Sequence, residues 1–221
     1  MPDTSDPMNE LVKQLRHWRI VPVIVIDDPR DAAPLAHALL EGGLPCAEVT
    51  FRTPKAADAL RVIAQECPDV VVGAGTVLTV QQAAQACESG ARFIVTPGFN
   101  STVVDYCIDH AIPVFPGVCT PTEVDAALSN ALAVLKFFPA EPMGGAPFLK
   151  AISAPYSMVK FIPTGGVNLN NLSAYLSLPC VLACGGSWLA PREWVRAREF
   201  DRIRLETERA VQTVRQLTGG A

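Results

Sequence analysis

The feature that most constrains the fold of this chain is the regular alternation of short apolar runs with helical stretches. Eight runs rich in β-branched residues recur, at residues 21–26, 46–51, 70–73, 93–96, 113–115, 134–138, 160–163 and 181–184. This alternation is typical of parallel βα units, and the near-continuous hydrophobicity indicates strands buried on both faces. Eight units are the number that closes into a barrel, so we predict an α/β fold of the (β/α)8, or TIM barrel, type. An open doubly wound sheet is the second interpretation.

Length and composition favour a single domain. The 221 residues, 49% of them hydrophobic, are enough to bury one core of barrel size. We therefore predict one domain over residues 1–221, with frayed ends at 1–8 and 218–221. An extra helix over 9–18 is predicted to plug the bottom of the barrel, and an amphipathic helix over 200–217 is predicted to end the fold.

Three helix starts are marked by a capping residue that proline follows. They are Asp28-Pro29, Thr53-Pro54 and Thr120-Pro121, and Glu123 completes the last into a predicted capping box. In a barrel, the chemistry takes place at the C-terminal ends of the strands, where these loops begin. Polar residues at those ends are therefore the candidates for function.

Charge and hydropathy exclude several classes of function. The formal net charge is −4 and the arginines are scattered or concentrated near the C-terminus, so we expect no nucleic-acid partner. Six arginines between residues 192 and 209 are interpreted as the solvated face of a helix. No apolar stretch reaches the roughly 18 residues of a membrane helix, and residues 1–7 lack a signal pattern. We expect no membrane partner and a cytoplasmic location.

The histidines give no support to metal or triad chemistry. His17, His37 and His110 all lie in predicted helical stretches and share no metal-ligand spacing. A zinc-dependent enzyme is therefore not expected. Because no histidine stands at a strand end, Ser-His-Asp and Cys-His arrangements are not expected either.

Lys136 is the candidate nucleophile because it lies inside a predicted strand rather than in a helix. Strand alternation places Val134, Lys136 and Phe138 on one face, so apolar groups flank the amine. Burial favours the neutral form of an amine, which is the form that attacks a ketone. The other lysines lie in helical stretches or, as Lys160 does, at the opposite end of a strand. Position alone leaves open a lysine that snorkels to solvent or pairs with a carboxylate.

Glu48 is the carboxylate best placed to serve such a lysine. Alternation along the second run aligns Glu48 and Arg52 on one face. A static ion pair with Lys136 or Arg52 is one interpretation, because an inward carboxylate is costly unless it is paired. The functional interpretation uses Glu48 to move protons, while Arg52 and Thr76 hold a substrate carboxylate.

Glycine-containing segments stand at three predicted strand ends, at residues 73–76, 163–166 and 185–187. The latter two follow the seventh and eighth strands, where barrels commonly bind phosphate through backbone N–H groups and a helix N-terminus. A single Gly-Gly pair is usually only a turn. Two pairs in these positions favour a phosphorylated substrate.

Six segments carry a resemblance to a known family: 21–24 (Val-Pro-Val-Ile), 48–53 (Glu-Val-Thr-Phe-Arg-Thr), 72–78, 136–141 (Lys-Phe-Phe-Pro-Ala-Glu), 163–166 (Pro-Thr-Gly-Gly) and 185–189 (Gly-Gly-Ser-Trp-Leu). Nearly the whole chain resembles the bacterial 2-keto-3-deoxy-6-phosphogluconate aldolases, a family that also includes 4-hydroxy-2-oxoglutarate aldolase activity. Together these segments are specific to that family.

The resemblance implies a class I aldolase that cleaves 2-keto-3-deoxy-6-phosphogluconate to pyruvate and glyceraldehyde 3-phosphate. Lys136 would form the Schiff base, and Glu48 would be the general acid and base, acting partly through water. The ligands around the pyruvate portion would be Arg52, Thr76, Thr164 and Phe138, and those of the phosphate Gly165, Gly166, Gly186 and Ser187. The resemblance further implies a homotrimer with no metal and no cofactor.

Three alternatives remain open at this point. The first is an aldolase for the galactonate epimer, and the second is an aldolase for unphosphorylated 4-hydroxy-2-oxoglutarate. Both would share the pyruvate-side residues. The third is a non-catalytic barrel that binds a phosphorylated sugar acid, with Lys136 and Glu48 as an ion pair.

Overall fold

The computed structural model describes residues 7–219, in which short strands alternate with helices. The strands are β1 (Ile20–Ile24), β2 (Cys46–Thr50), β3 (Val71–Gly75), β4 (Ile94–Val95), β5 (Val114–Phe115), β6 (Gly117–Val118), β7 (Val134–Phe137), β8 (Lys160–Pro163) and β9 (Cys184–Gly186). The helices are α1 (Pro7–Trp18), α2 (Ala32–Glu41), α3 (Ala56–Glu66), α4 (Val80–Glu88), α5 (Ser101–Asp109), α6 (Pro121–Ser129), α7 (Gly145–Ser153), α8 (Leu172–Leu176), α9 (Arg192–Arg196) and α10 (Phe200–Thr218), with a 3-10 helix at Pro29–Asp31.

The strands form a curled parallel sheet in two parts. One part has the order β5-β4-β3-β2-β1-β9 and the other has the order β6-β7-β8. Every pairing between these strands is parallel, as the βα alternation predicts. Only Pro116 separates β5 from β6, and single parallel bridges join Phe161 to Val181 and Thr164 to Gly185. The fold is therefore of the α/β class, with helices in the connections between parallel strands.

Side-chain alternation along the strands separates an inner core from an outer core. In β2, Cys46 belongs to an inner cluster with residues of β4, β5 and β8, whereas Ala47 and Val49 pack with helical residues. In β7, Val134 contacts the inner cluster, whereas Leu135 packs in the outer core. The residue two positions after Cys46 and the residue two positions after Val134 therefore also point to the concave side of the sheet.

Helix α1 contributes to the inner core, as predicted for a helix that plugs one end of the fold. Leu11 and Leu15 are buried in the inner cluster, and Met8 packs against it. The chain is therefore helical from residue 7, where fraying was predicted. At the other end α10 continues to Thr218, whose hydroxyl donates to the carbonyl of Val214 at 2.9 Å. The rest of the predicted frayed ends, 1–6 and 220–221, lies outside the described residues.

The last strand differs from its prediction. The run at 181–184 was predicted to be the strand, but the strand is Cys184–Gly186. Cys184 is in register with Ile20, the first residue of β1, so the residues before Cys184 have no partner in that strand. The carbonyls of Val181 and Leu182 accept hydrogen bonds from the Arg19 guanidinium, at 3.1 and 2.9 Å. Pairing with β1 begins at Cys184 instead.

The three predicted capping residues have different outcomes in the structure. Thr120 and Glu123 form the predicted capping box of α6. Thr53 does not cap α3, which begins at Ala56, because the Thr53 hydroxyl donates to the carbonyl of Ile26 at 2.8 Å. Asp28 caps the 3-10 helix rather than α2.

Within residues 7–219, no helix combines the length and hydrophobicity that a bilayer span requires.

Candidate active site

Strands β2 and β7 bring together the two side chains that were predicted to carry chemistry. Lys136 Nζ lies 3.2 Å from Glu48 Oε1, although the residues are 88 positions apart in the chain. Their side chains are only 6% and 4% exposed. Because one buried charge without a partner would be very costly, this geometry holds both groups in a fixed, mutually compensating pair.

The position of Glu48 depends on a glycine in the neighbouring strand. Thr50 is in register with Gly75, one pleat beyond the pairing of Glu48 with Gly73. A Cβ atom at position 75 would overlap Glu48 Oε1 and would also come within 2.6 Å of Glu48 Cγ. The absence of a side chain at Gly75 therefore leaves the space in which the carboxylate lies.

Apolar side chains surround the pair on its inner side. A pocket there is lined by Glu48, Lys136 and Thr164, and by the apolar residues Leu15, Val21, Phe93, Val95, Phe115 and Ile162. The Phe138 ring centroid lies 5.4 Å from Lys136 Nζ, within the range of a cation–π contact. The amine and the carboxylate therefore face each other in a low-dielectric environment, in which water screens their electrostatic attraction only weakly.

A second cavity opens on the carboxyl-end side of the pair. In β1 and the residue after it, Val21 lines the inner pocket, whereas Val23 and Val25, further toward the carboxyl end, line this outer cavity. Val23 is in register with Glu48. The outer cavity therefore lies nearer the carboxyl ends of the strands than the pocket that the reactive pair lines.

Arg52 lies in the outer cavity rather than in the pocket around Lys136. Its Nε donates to the hydroxyl of Thr76 at 3.3 Å, and Thr76 has a positive φ of 55°. The two residues that were predicted to hold a substrate carboxylate are therefore neighbours. Thr164, in contrast, lines the inner pocket with Lys136 and Glu48.

The predicted glycine turn after β8 is present and is held from both sides. Gly165 and Gly166 have φ values of 101° and 85°, in the left-handed region that favours glycine. Glu141 packs across Gly166, with Cγ 2.6 Å from where a Cβ would be, and accepts a hydrogen bond from the Tyr175 hydroxyl. Burial and this bond raise the pKa of Tyr175 above its usual range, so the phenol remains a donor. Asn168 donates to the Gly166 carbonyl at 3.0 Å.

The second predicted glycine turn is not a turn. Gly185 and Gly186 lie within β9 and pair with Val21 and Pro22, because the strand begins later than its apolar run suggested. At Gly186 the Trp188 ring occupies the place of a side chain. Ser187 directly follows the strand, is exposed and lines the outer cavity together with Gly166.

Arg192 lies at this cavity, although it was predicted to be on a solvated helix face. It lines the outer cavity, and its Nε and Nη2 donate to Asp27 at 2.8 and 2.5 Å. Arg196 donates to Asp27 as well, at 2.7 Å. These hydrogen bonds hold the pKa of Asp27 well below its usual range. The sequence feature that could have identified Arg192 as a site residue is its position, since Asp27 and Arg192 follow the first and the last strand at the same edge of the sheet.

The site offers an amine and a carboxylate for covalent and acid–base chemistry, and donors for an anion. Across residues 7–219, no group of three or more His, Cys, Asp or Glu side chains is arranged to hold a metal ion. Of the residues predicted to bind pyruvate or phosphate, four line one of the two cavities: Thr164 lines the inner pocket, and Arg52, Gly166 and Ser187 line the outer cavity.

Comparison with known proteins agrees with the chemistry of this site. The model of the family described as KDPG and KHG aldolase matches residues 11–205. The 2-dehydro-3-deoxy-phosphogluconate aldolase of Treponema pallidum is 47% identical over 207 residues, which cover 94% of this chain and 99% of that protein. The KHG/KDPG aldolase of Escherichia coli K12 is 44% identical, with 87% and 91% coverage. The structure of KDPG aldolase from Legionella pneumophila, with pyruvate captured as a covalent carbinolamine intermediate, has a TM-score of 0.87 at 39% identity and covers 94% of this chain and 98% of its own.

Proposed function

This chain belongs to the KDPG and KHG aldolase family, and on that premise we propose a mechanism in which Lys136 carries the covalent substrate. The reaction is the cleavage of 2-keto-3-deoxy-6-phosphogluconate to pyruvate and glyceraldehyde 3-phosphate, which makes the protein a carbon–carbon lyase of the aldehyde-lyase type. The observation that carries the mechanism is the buried approach of Lys136 Nζ to Glu48 Oε1 at 3.2 Å, beside an apolar pocket.

In the first half of the reaction, the Lys136 amine attacks the C2 ketone of the substrate. Glu48 accepts the ammonium proton beforehand and then donates a proton to the hydroxyl of the carbinolamine, which leaves as water. The product is a protonated imine. Because its nitrogen is positively charged, the imine withdraws electrons from C3.

In the second half, Glu48 removes the proton of the C4 hydroxyl, directly or through water. The C3–C4 bond breaks, its electron pair moves into the imine to give an enamine, and glyceraldehyde 3-phosphate leaves. Protonation of the enamine at C3 and hydrolysis of the imine release pyruvate and the free amine. Each step uses only Lys136, Glu48 and water.

The remaining site residues are assigned to binding. Thr164 lines the pocket of the reactive pair and the Phe138 ring lies beside Lys136, so these two are proposed to contact the pyruvate portion, with Arg52 and Thr76 at the entrance. The proposed phosphate ligands are Gly165, Gly166, Gly186 and Ser187. The three glycines can contribute only backbone groups, and at Gly186 the Trp188 ring fills the space where a side chain would lie.

Borohydride reduction in the presence of pyruvate tests the role of Lys136. We expect a stable adduct on the peptide that contains Lys136, identified by mass spectrometry, and none in Lys136→Ala. Lys160→Ala is the matched control, because Lys160 opens a strand of the same sheet but donates to Pro179 at the other end of it. Undiminished trapping in Lys136→Ala would remove this lysine from the mechanism. A wild-type protein that neither traps pyruvate nor releases it from any 2-keto-3-deoxy acid would be a non-catalytic binder.

Substrate range is tested on the same protein. Turnover of 2-keto-3-deoxy-6-phosphogluconate, its galactonate epimer and unphosphorylated 4-hydroxy-2-oxoglutarate is compared through coupled detection of pyruvate. We expect 2-keto-3-deoxy-6-phosphogluconate to have the highest kcat/KM. A higher kcat/KM for either of the other two acids would make that acid the main substrate.

We further propose that the two parts of the sheet belong to one closed barrel of eight strands that forms a single domain. The proposal is supported by the bridges from Phe161 to Val181 and from Thr164 to Gly185, and by the single residue between β5 and β6.

We also propose a cytoplasmic homotrimer. The reaction needs no metal or cofactor, because the imine is itself the electron sink. Light scattering and turnover after dialysis against a chelator test the last two points.

A further inference from the structure

The outer cavity contains a guanidinium group that the mechanism above does not use, that of Arg192. Arg192 lines this cavity together with Arg52, Gly166 and Ser187, the last two of which are proposed phosphate ligands. We infer that Arg192 is a specificity-determining residue that binds the distal phosphate of the substrate. The inference rests on the proposed function and adds to it a cation that distinguishes phosphorylated from unphosphorylated acids.

Arg192 is held in place by the carboxylate of Asp27. Nε and Nη2 donate to the two carboxylate oxygens at 2.8 and 2.5 Å, which is the bidentate arrangement that orients an arginine most firmly. Among the residues from 7 to 219, no acceptor receives a hydrogen bond from Nη1. Because the side chain is 49% exposed, this part of the guanidinium is accessible to a ligand.

The charges around the cavity favour an anion. Arg52 and Arg192 line it against one carboxylate, that of Glu193, so the lining residues have a formal excess of one positive charge. Asp27 does not reverse this excess, because it is shared between Arg192 and Arg196. A phosphate dianion gains more from such a cavity than a group with a single charge does.

The two arginines on Asp27 differ in one respect that makes a matched experiment possible. Both Arg192 and Arg196 donate to the same carboxylate, but only Arg192 lines the cavity. Replacing either one removes an ion pair from Asp27. Only replacement of Arg192 removes a group that can touch substrate.

The experiment measures kcat and KM of wild type, Arg192→Ala, Arg192→Lys and Arg196→Ala with 2-keto-3-deoxy-6-phosphogluconate and with 4-hydroxy-2-oxoglutarate. For Arg192→Ala we expect KM of the phosphorylated substrate to rise about 5- to 50-fold, as for loss of a hydrogen bond to a charged group at a partly exposed site. KM of the unphosphorylated acid and the rate of borohydride trapping with pyruvate should stay within about twofold. Arg192→Lys should restore part of the loss, since lysine keeps the charge but not the planar fork.

Two outcomes would overturn the inference while leaving the proposed function intact. One is an equal rise of KM in Arg192→Ala and Arg196→Ala, which would assign the effect to the ion pairs of Asp27. The other is an unchanged KM for the phosphorylated substrate in Arg192→Ala, with a normal thermal melt. Failure of the proposed function looks different, because the wild type itself would then release no pyruvate from the phosphorylated acid.

Discussion

At the scale of single residues, Gly75 decides how closely Glu48 can approach Lys136. The carboxylate occupies the volume that any side chain at position 75 would need. Glu48 is therefore placed by what is absent from the neighbouring strand as much as by its own backbone. Gly75 therefore belongs to the active site, although it takes no part in proton transfer itself.

Gly75→Ala is expected to displace the Glu48 carboxylate and to lower kcat by roughly 10- to 1000-fold, because positioned proton transfer contributes about 10²- to 10⁴-fold to rate. Steady-state kinetics with the phosphorylated substrate measure the effect. Gly98→Ala is the control, since a Cβ at position 98 meets no atom within 4 Å. A kcat for Gly75→Ala that equals that of Gly98→Ala would show that Glu48 tolerates displacement.

Residue patterns identified the reactive pair but not its surroundings. Lys136 and Glu48 were predicted because strand alternation is strictly local, and both indeed face the concave side. The roles of Gly75 and Arg192 depend on which segments become neighbours in space, and a local pattern contains no such information. Arg192 was assigned to a solvated helix face because it begins the arginine-rich C-terminal segment.

At the scale of elements, the N-terminus of α6 is the best-defined helix start of the chain. Glu123 Oε2 accepts hydrogen bonds from the Cys119 N–H at 2.8 Å, the Thr120 N–H at 2.9 Å and the Thr120 hydroxyl at 2.8 Å. Partial burial alone would raise the pKa of Glu123, but these donors outweigh it and the pKa is lowered. The ionised carboxylate is thus the form that stabilises the helix.

Since the pKa of Glu123 is lower in the folded state than in the unfolded state, its contribution is complete above the usual glutamate range and is lost as pH falls through the folded value. We expect Glu123→Gln to lose about 1 kcal/mol of unfolding free energy at pH 7, and the difference from wild type to shrink as pH falls below about 4. Urea unfolding at several pH values measures it. Glu66→Gln, at an exposed position, is the control, and a difference that grows on acidification would contradict the argument.

Element boundaries could be predicted only where neighbours in sequence set them. The capping box of α6 is such a case, since Thr120 and Glu123 are three positions apart. The last strand is the opposite case, because its first residue is the one in register with Ile20, which begins β1 more than 160 positions away. Its start at Cys184 could not be read from the apolar run alone.

At the scale of the whole molecule, α1 connects the stability of the fold to the site. Leu15 is fully buried, belongs to the inner cluster and lines the pocket beside Lys136 and Glu48. The parallel α/β class was predicted from the alternation of runs along the chain, and α1 was predicted separately as a helix before the first strand. What sequence could not supply is which side chains fill the space under the reactive pair.

Leu15→Ala is expected to lower the free energy of unfolding by about 2–5 kcal/mol, because it removes buried methyl groups and leaves a cavity in the inner core. Leu205→Ala, at a position that is 50% exposed, should change it by about 0.5 kcal/mol or less. Denaturant titration of both variants gives the comparison. Equal stabilities would mean that the inner core repacks around the lost side chain.

The ion pair of Lys136 and Glu48 also limits how this site can change over generations. A substitution of either residue alone leaves the other charge buried without its counter-ion, which typically costs about 3–5 kcal/mol. Such a loss is a large part of the stability of an ordinary domain, and it lowers abundance in a cell whether or not the reaction is needed. Selection for a folded protein therefore protects the catalytic pair by itself, and a lineage that abandons the reaction must replace both residues to escape that penalty.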